Sequence, residues 1–424
     1  MNEKSLKRSL IPIVTIGSIL EWYEIGLYIY WASLIEGIML DIGNPLSELI
    51  NIILVICTGF LARPLGGFIF GRLGDKQGRK KAFALSVIFV AIPTFLIGIT
   101  QSYEEWSLFS VIFLGLMKFI QGIPAGGEIP GAICYLSENA PPRKKYYTLS
   151  FAFIGPQIGL LLSLTQCLLL QKYIPEHFLT QGMWRISFLL CGFLGFLAYL
   201  LRNTLEETEK YTKVKEHNEV ERCPTKDLFK SHKKQLFLGG CVSIFQITAF
   251  SLITIVPIFH FKKNFDLNDN QNLVVCISAL ILCSIIPLFI GKLADKYKSV
   301  PFLWISAIGF IVFSYPFYLS IKENLLIPTL MTRFFLIVFY SIQTALLPAI
   351  LADLFPTRIR YTGIGFSFNI CDGLFLGLIP TLSFLLIQKT QEIASFVWFF
   401  PIIPIIFLIS YHFTKKEIKK NTLN

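Results

Sequence analysis

The sequence has 424 residues, of which 54% are hydrophobic and only 15% are charged, and its mean hydropathy is +0.62. Globular domains carry about 25% charged residues, so this composition excludes a soluble enzyme, and recurring apolar runs of about 20 residues predict a helical membrane protein. The net charge of +11 does not indicate nucleic-acid binding, because Lys and Arg are concentrated in segments that we predict to be cytoplasmic.

Twelve apolar segments fit the chain, and the distribution of Lys and Arg places both termini in the cytoplasm. The predicted helices lie near residues 9–32, 47–72, 80–100, 105–128, 147–170, 184–202, 235–260, 270–292, 300–320, 325–350, 361–387 and 393–413. A polar linker at about 203–234 separates an N-terminal six-helix bundle (1–202) from a C-terminal bundle with a short basic tail (235–424). We predict an all-α membrane protein of two pseudo-symmetric bundles.

The first helix carries two carboxylates in the middle of its apolar run. Glu21 and Glu24 are three positions apart, so they share one face of the helix. Because an ionisable residue inside the membrane is costly, both are candidates for carrying a proton or binding a cation, and the alternative is a structural pair with a neighbouring helix. The same helix carries the aromatic residues Trp22, Tyr23, Tyr28, Tyr30 and Trp31. Their rings could bind a quaternary ammonium group. For Tyr28, Tyr30 and Trp31 the alternative is a belt at the membrane interface.

A short turn rich in Gly and basic residues, Gly71–Lys81, joins helices 2 and 3. Gly71 permits close helix packing, and Gly78 permits backbone angles that other residues resist. Asp75 is positioned to cap the following helix, with Arg79 one turn later as its ion-pair partner. The basic residues that follow predict that this turn is cytoplasmic.

Two internal repeats indicate duplication. The Gly-x-x-x-Asp-Lys pattern of Gly71–Lys76 recurs at Gly291–Lys296, 220 residues later. The acid, Pro and Arg of Glu138–Arg143 recur at Asp353–Arg358, 215 residues later. Two halves built alike, with a substrate site between them near the membrane midplane, are typical of large secondary transporters.

The fourth helix contains a basic residue, Lys118, near its middle and Gln121 one turn on. An ammonium that faces the acids of helix 1 would form a switchable pair, since separation of the pair lets the carboxylate take a proton and its re-formation expels it. A purely structural pair is the alternative for Lys118. Glu128 lies closer to the cytoplasm, where a substrate role and a bracing role are equally compatible with the sequence.

In the second half, Arg333 on helix 10 and Asp372 on helix 11 are the comparably deep charges. Arg333 suits an anchor for a substrate carboxylate, and the alternative is an Arg333–Asp372 bridge between neighbouring helices.

Charged and glycine residues at the cytoplasmic ends of several helices predict an inner gate, whose ion pairs form in the outward-facing state and break when the halves rock. The alternative is topological anchoring alone. The predicted gate residues are Arg63, Gly71, Asp75, Gly78, Arg79, Glu138, Asp295, Asp353, Arg358 and Arg360.

Several separate motifs occur in the order found in one known family. They are Glu21–Glu24, Arg63–Gly67, Gly71–Lys81, Gln121–Gly122 with Gly126–Glu128, Trp184–Phe188 and Phe355–Gly363. Together they resemble the major facilitator superfamily, and within it the metabolite:proton symporter branch of proline/betaine, α-ketoglutarate, shikimate and citrate carriers. The resemblance spans essentially the whole chain and implies transport by alternating access.

The chain departs from that branch at three places. Glu24 stands where Asp is usual, and Lys118 stands where Arg is usual. The sequence also stops soon after helix 12, without the long C-terminal coiled coil of the osmosensing betaine carriers, which weakens an osmosensor interpretation. Gly155–Gly159 resembles the Gly-Pro motif of superfamily antiporters only in part, and close packing at a kink is its simpler role.

These observations favour proton-coupled symport of a small polar metabolite, either a zwitterion or an organic acid, by a monomer in the inner membrane. An exchanger or uniporter is an alternative, as is a sensor that binds without transporting, and sodium could replace the proton. No metal site is predicted, because the nine cysteines show no CxxC or Cys/His spacing. No nucleic-acid partner is predicted, because the basic residues follow the membrane topology, and no cofactor is predicted apart from a proton or sodium gradient. An enzyme is not indicated, since no nucleophile–base pair or phosphate-binding loop is visible.

Overall fold

The computed structural model describes residues 3–39, 59–297 and 299–421, and these residues form helices without a β-strand. The twelve long helices are α1 (Glu3–Met39), α2 (Gly59–Gln77), α3 (Arg79–Gly98), α4 (Leu108–Asn139), α5 (Lys145–Tyr173), α6 (Trp184–Asn203), α7 (Lys233–Phe250), α8 (Asp269–Lys296), α9 (Ser299–Lys322), α10 (Leu326–Leu354), α11 (Arg360–Thr390) and α12 (Phe399–Asn421). Residues 47–58 of the second predicted helix lie outside the described residues.

Shorter helical segments connect or extend these helices. α7 continues through a π-helical turn, Ser251–Ile255, into the helix Val256–Asn264. Two short helices, Glu209–Glu216 and Pro224–Ser231, lie between α6 and α7 in the segment that we predicted to be a linker.

Four helices extend on one face of the molecule beyond their predicted ends. α2, α4, α8 and α10 end at residues 77, 139, 296 and 354 rather than near 72, 128, 292 and 350. Hydropathy detects only the turns that cross hydrocarbon, so helical turns that continue outside it are missed. The added turns carry Asp75, Glu138, Asp295 and Asp353, four of the predicted gate residues.

The packing of the helices repeats between the two halves of the fold. In the first half α1 packs on α5, α2 on α4 and α3 on α6, and in the second half α7 packs on α11, α8 on α10 and α9 on α12. The halves meet mainly where α2 packs on α11 and where α5 packs on α8. These two interfaces are therefore related by the same internal symmetry as the helices that form them.

The lateral surface of the helix bundle, which surrounds its core, is apolar. Eleven of the helices in the described part of the chain are long and apolar enough to span a membrane. Large hydrophobic side chains stay exposed along them, for example Phe89, Ile112, Phe193, Val312 and Phe384, each at least 48% exposed. Contiguous exposed apolar surface of this extent fits lipid contact.

Candidate functional site

A cavity lies between the two halves and is lined mainly by apolar side chains, five of them aromatic. The rings of Trp22 and Phe250 meet edge to face across it, with their centroids 5.3 Å apart. One carboxylate, that of Asp372, reaches the cavity. The polar groups beside it come from three helices: Gln157 on α5 donates to the Tyr340 hydroxyl at 2.7 Å, and Gln246 on α7 donates to the same hydroxyl at 3.3 Å.

Arg63 joins a carboxylate of each half. Its Nη2 donates to Glu21 Oε1 at 2.7 Å, and its Nη1 donates to Asp372 Oδ2 at 2.5 Å. All three side chains are at most 4% exposed, and the guanidinium carbon lies 5.6 Å from the centroid of the Trp22 ring. Arg63 was predicted to be a gate residue at the end of helix 2, which is wrong, because α2 runs 14 residues further, about 21 Å.

Glu24 and Lys118 form the pair that the sequence predicts between helices 1 and 4. The Lys118 ammonium donates to Glu24 Oε1, and it lies 4.0 Å from the centroid of the Tyr28 ring. Glu24 is 1% exposed and Lys118 is 7% exposed, so the pair is held away from water. Gln121, one turn further along α4, donates instead to Thr94 Oγ1 on α3 at 2.7 Å.

Glu128 belongs to a different cluster, built around Arg202. The Arg202 guanidinium, which is fully buried, donates to both Glu128 oxygens, at 2.7 Å to Oε2, and to the backbone oxygens of Phe83 and Val14. Ser86 also donates to Glu128, at 2.8 Å. These contacts join α1, α3, α4 and α6 within one half, which is the geometry of a brace.

Arg333 does not contact Asp372, so the alternative of a bridge between them is wrong, while its role as a substrate anchor stays a prediction. Its Nε and Nη2 donate to the backbone oxygen of Ile253 at 3.0 and 2.6 Å, and Nη1 donates to that of Val275 at 3.4 Å. Ile253 is in the π-helical turn that follows α7, where the regular helical hydrogen bonding is interrupted. Arg333 therefore holds this turn against α8 and α10.

Asp75 caps a helix of the opposite half. Its two oxygens accept the backbone N–H groups of Tyr361 and Thr362 at 3.2 and 2.8 Å, at the start of α11. The expectation that Asp75 caps the following helix is wrong, although its predicted ion pair with Arg79 is present at 3.0 Å. The start of α3 is capped by Glu207, which accepts from the Arg79 backbone N–H at 3.0 Å.

The repeated residue Asp295 makes the symmetric contact. Its oxygens accept the backbone N–H groups of Tyr146 and Tyr147 at 2.8 and 3.0 Å, at the start of α5. Each half thus places one carboxylate at the positive end of a helix dipole in the other half.

The second pair of repeated acids also bridges the halves. Glu138 accepts from Arg360 at 3.0 Å, and Asp353 accepts from Lys145 at 2.6 Å. Arg79 donates to the backbone oxygen of Thr357 at 2.5 Å. We call the residues of these contacts the gate cluster: Asp75, Arg79, Glu138, Lys145, Asp295, Asp353 and Arg360.

The predicted gate residue Arg358 contacts the segment between the halves. It lies 3.7 Å from Asp227 on the short helix Pro224–Ser231 and is about half exposed. The same segment reaches the gate cluster through Thr208, which donates to Glu138 at 2.5 Å, and through Tyr211, whose ring centroid lies 4.8 Å from the Arg79 guanidinium carbon.

Glycines set the separation between α2 and α11. A Cβ atom on Gly71 would lie 2.7 Å from Thr362 Cα, and one on Gly67 would lie 2.4 Å from the Gly365 oxygen. Gly78 has φ +111°, as expected for a position that other residues resist. On α5, a Cβ on Gly159 would lie 2.3 Å from the Ile19 oxygen, so the Gly155–Gly159 motif packs closely on α1.

The aromatic residues of α1 divide by their surroundings. Trp22 lines the cavity, and Tyr23 donates to Gln166. Tyr28 and Trp31 are 3% and 4% exposed, so the belt interpretation is wrong for both, because a belt residue must face the lipid headgroups.

A comparison with known families decides the identity of this fold. The model of the Major Facilitator Superfamily matches residues 23–321 and 236–423. The chain belongs to the major facilitator superfamily.

Relatives within the superfamily cover nearly the whole chain. It is 28% identical over 423 residues to the glycine betaine/proline/ectoine/pipecolic acid transporter OusA of Dickeya dadantii, which covers 97% of this chain and 84% of that protein. It is 28% identical over 413 residues to the proline/betaine transporter of Salmonella typhimurium, covering 95% and 82%. The proton:xylose symporter XylE, bound to 6-bromo-6-deoxy-D-glucose, superposes with a TM-score of 0.78 at 15% identity, covering 98% of this chain and 97% of that one.

This major facilitator protein is therefore a multi-pass membrane transporter of a small molecule and not an enzyme. Sequence reasoning assigned no role to several polar residues around its cavity and to one basic residue of its gate cluster, because it looked mainly for charged side chains in the helices. Polar residues in apolar helices would have identified Gln157, Gln246 and Tyr340. The 215-residue repeat, applied to Arg360, would have identified Lys145.

Proposed function

We propose that this transporter is a proton-coupled symporter of a small zwitterion, such as a betaine or proline. The observation that carries the proposal is the cavity, in which one carboxylate of the described residues, Asp372, lies among the rings of Trp22, Phe250 and Tyr340. Aromatic faces and a carboxylate together recognise a quaternary or secondary ammonium. The hydroxyl of Tyr340 and the amides of Gln157 and Gln246 supply hydrogen bonds for the substrate carboxylate.

The charge balance favours a zwitterion over an organic acid. Glu21, Arg63 and Asp372 have a net charge of −1 when Glu21 is ionised and of zero once Glu21 takes a proton, while Glu24 and Lys118 cancel each other, so the cluster offers an organic acid no net positive charge in either state. A dicarboxylate would bring an excess of negative charge, whereas a zwitterion adds none. The relatives in Dickeya dadantii and Salmonella typhimurium are named for betaine and proline transport, which supports the same substrate class.

We assign the proton to the acids of α1. Glu21 uses Oε1 for Arg63, and its buried Oε2 has no hydrogen-bond partner in the described part of the chain. A buried oxygen without a donor is stabilised by a proton. Glu24 is a second acceptor, available whenever Lys118 moves away, because loss of the ammonium leaves the carboxylate without a counterion.

In the proposed cycle the two halves rock about the cavity, and the gate cluster closes its cytoplasmic side. Its cross-half contacts, including Asp75 to α11 and Asp295 to α5, break when the cavity opens inward. The proposal includes both termini in the cytoplasm, a monomer in the inner membrane, and a division into bundles 1–202 and 235–424 joined by 203–234.

Uptake into liposomes tests this function. Purified protein in liposomes with an acidic exterior should accumulate radiolabelled glycine betaine or proline above the external concentration, and a protonophore should reduce uptake to equilibration. Glu21→Gln should bind substrate yet fail to accumulate it. Counterflow that ignores the pH gradient would replace this proposal by exchange, and binding without any flux would replace it by a sensor.

A further inference from the structure

The α2–α11 and α5–α8 interfaces share two contacts at the gate cluster and differ at the cavity. Both begin with a carboxylate on a helix N-terminus, Asp75 on α11 and Asp295 on α5. Both continue past a glycine that the partner backbone touches, since a Cβ on Gly71 or Gly291 would lie 2.7 or 2.9 Å from the facing Cα. The two interfaces share these contacts, and within the gate cluster they differ at Arg79, whose equivalent by the 220-residue repeat is Ser299.

The symmetry is lost where each interface reaches the cavity. The 220-residue repeat relates Arg63 to Cys283, and the 215-residue repeat relates Asp372 to Gln157. The α2–α11 interface therefore ends in an ion pair of 2.5 Å across the halves, between Arg63 and Asp372. The α5–α8 interface has neutral residues at the equivalent positions, and Gln157 donates to Tyr340 of α10 instead.

Along α2 the contacts with α11 form one continuous row. Arg63, Gly67, Gly71 and Asp75 are spaced four residues apart, so they follow one face of the helix. They meet α11 in reverse order, from Asp372 through the Gly365 and Thr362 backbone to its first turn. Because glycine contacts leave no compressible side chain between the helices, separation at one end of the row displaces the other end.

We propose that the Arg63–Asp372 ion pair makes α2–α11 the interface through which the cavity controls the gate cluster, while α5–α8 follows passively. The inference rests on the proposed function in one respect, namely that the cavity of Asp372 is the substrate site. An ammonium group of the substrate competes with Arg63 for Asp372, and loss of this contact frees the cavity end of α2–α11. Removing one partner of a buried ion pair disrupts a structure more than removing a neutral hydrogen bond, so only this interface responds strongly.

Hydrogen–deuterium exchange of backbone amides tests the proposal without added probes. The amides of Tyr361 and Thr362 report on α2–α11, and those of Tyr146 and Tyr147 report on α5–α8, because each is held by a gate carboxylate. In Asp372→Asn we expect roughly tenfold faster exchange in residues 360–366, equivalent to about 1.4 kcal/mol, and wild-type exchange in residues 145–151.

Matched variants separate this effect from general loosening. Gln157→Met removes the neutral contact at the equivalent position and should leave exchange in both segments at the wild-type rate. Asp372→Glu keeps the charge and should retain protection of α11. If Asp372→Asn does not fold, Arg63→Lys serves, because an ammonium lacks the fork that reaches two carboxylates and should expose the same segment.

The outcomes distinguish this inference from the proposed function. Unchanged exchange in both segments of the folded variant, or an equal rise in both, would overturn the inference. Titration calorimetry with glycine betaine addresses the substrate site separately. If Asp372→Asn loses betaine binding while exchange in both segments is unchanged, the proposed function stands and the asymmetric control is excluded. If exchange rises only in residues 360–366 while betaine binding is unchanged, the asymmetric control stands and Asp372 is excluded from the substrate site.

Discussion

Two buried acid–base pairs of the first half, Glu24–Lys118 and Glu128–Arg202, have the same charges and different surroundings. Lys118 contacts one carboxylate and the face of Tyr28, so its ammonium keeps donor capacity for a competitor. Arg202 shares its guanidinium among Glu128 and two backbone oxygens on different helices. We therefore expect the first pair to change during transport and the second to stay intact.

The single variant Glu24→Gln should lower the free energy of unfolding by about 3–5 kcal/mol, because it leaves a buried ammonium without a counterion. The double variant Glu24→Gln/Lys118→Met buries no unpaired charge, so its free energy of unfolding should return towards the wild-type value. Its accumulation of substrate driven by a pH gradient should stay lost. Thermal unfolding and liposome uptake measure the two effects. Glu24→Asp with Lys118→Arg keeps both charges and is the control; a neutral double variant that accumulates substrate normally would exclude the pair from coupling.

Glu128→Gln should destabilise the protein by a similar amount, about 3–5 kcal/mol, since Arg202 then loses its counterion. The folded fraction should keep a wild-type KM for uptake and a wild-type pH profile, because the Glu128 carboxylate bonds Arg202, Ser86 and Ser18 rather than Arg63 or Asp372. Uptake kinetics normalised to folded protein provide the measurement, and a changed pH profile would assign Glu128 to coupling after all.

The sequence identified the charged residues and not all of their partners. Placing Glu24 opposite Lys118 succeeded because burial in a membrane requires a counterion, and helix 4 offered one at similar depth. Arg202 was missed because a basic residue at the end of an apolar run also satisfies topology. Arg63 was placed too near the membrane edge because the helix end could not be read from hydropathy.

At the level of whole helices, the glycine contacts of α2 determine how closely the halves approach. A Cβ on Gly67 meets the Gly365 backbone oxygen at 2.4 Å, whereas one on Gly59 of the same helix has its nearest neighbour, the Lys118 oxygen, at 3.9 Å. Backbone cannot rotate away as a side chain can. The two positions thus offer a comparison within a single helix.

Gly67→Ala should cost about 1–3 kcal/mol through overpacking and slow substrate uptake, because the closed state requires α2 against α11. Gly59→Ala should be neutral or slightly stabilising, since Ala is the better helix former by about 1 kcal/mol. Thermal unfolding and initial uptake rates compare the variants. Equal behaviour of the two would show that this contact does not limit the approach of the halves.

The contacts of Asp75 show which partners can be predicted from neighbouring residues in the sequence and which cannot. The Asp75–Arg79 pair is four residues apart and was predicted correctly, because both residues lie at adjoining helix ends. The backbone groups that Asp75 caps belong to Tyr361 and Thr362, nearly 290 positions away. Such a partner is selected by the packing of distant helices, which composition and spacing do not encode. The repeat of Asp295 was the available signal, since it linked the two carboxylates before any contact was known.

For the molecule as a whole, the orientation in the membrane can be read from one native thiol. Cys223 lies in the polar segment between the halves and is exposed, whereas the other cysteines in the described residues are buried or partly buried. A membrane-impermeant maleimide should label Cys223 in inside-out vesicles and not in intact cells. Cys223→Ser should abolish the signal; labelling in intact cells would place this segment, and with it the gate cluster, outside.

The twelve-helix architecture was predictable because span length and charge asymmetry are properties of the chain alone.

The reciprocal helix caps have a consequence for the origin of the two-bundle fold. Asp75 and Asp295 make the same contact in opposite directions, which is the isologous arrangement of a two-fold homodimer. A six-helix ancestor with one such acid would have made both contacts by pairing with its own copy, and gene fusion would then have allowed positions 63 and 283, and positions 157 and 372, to differ.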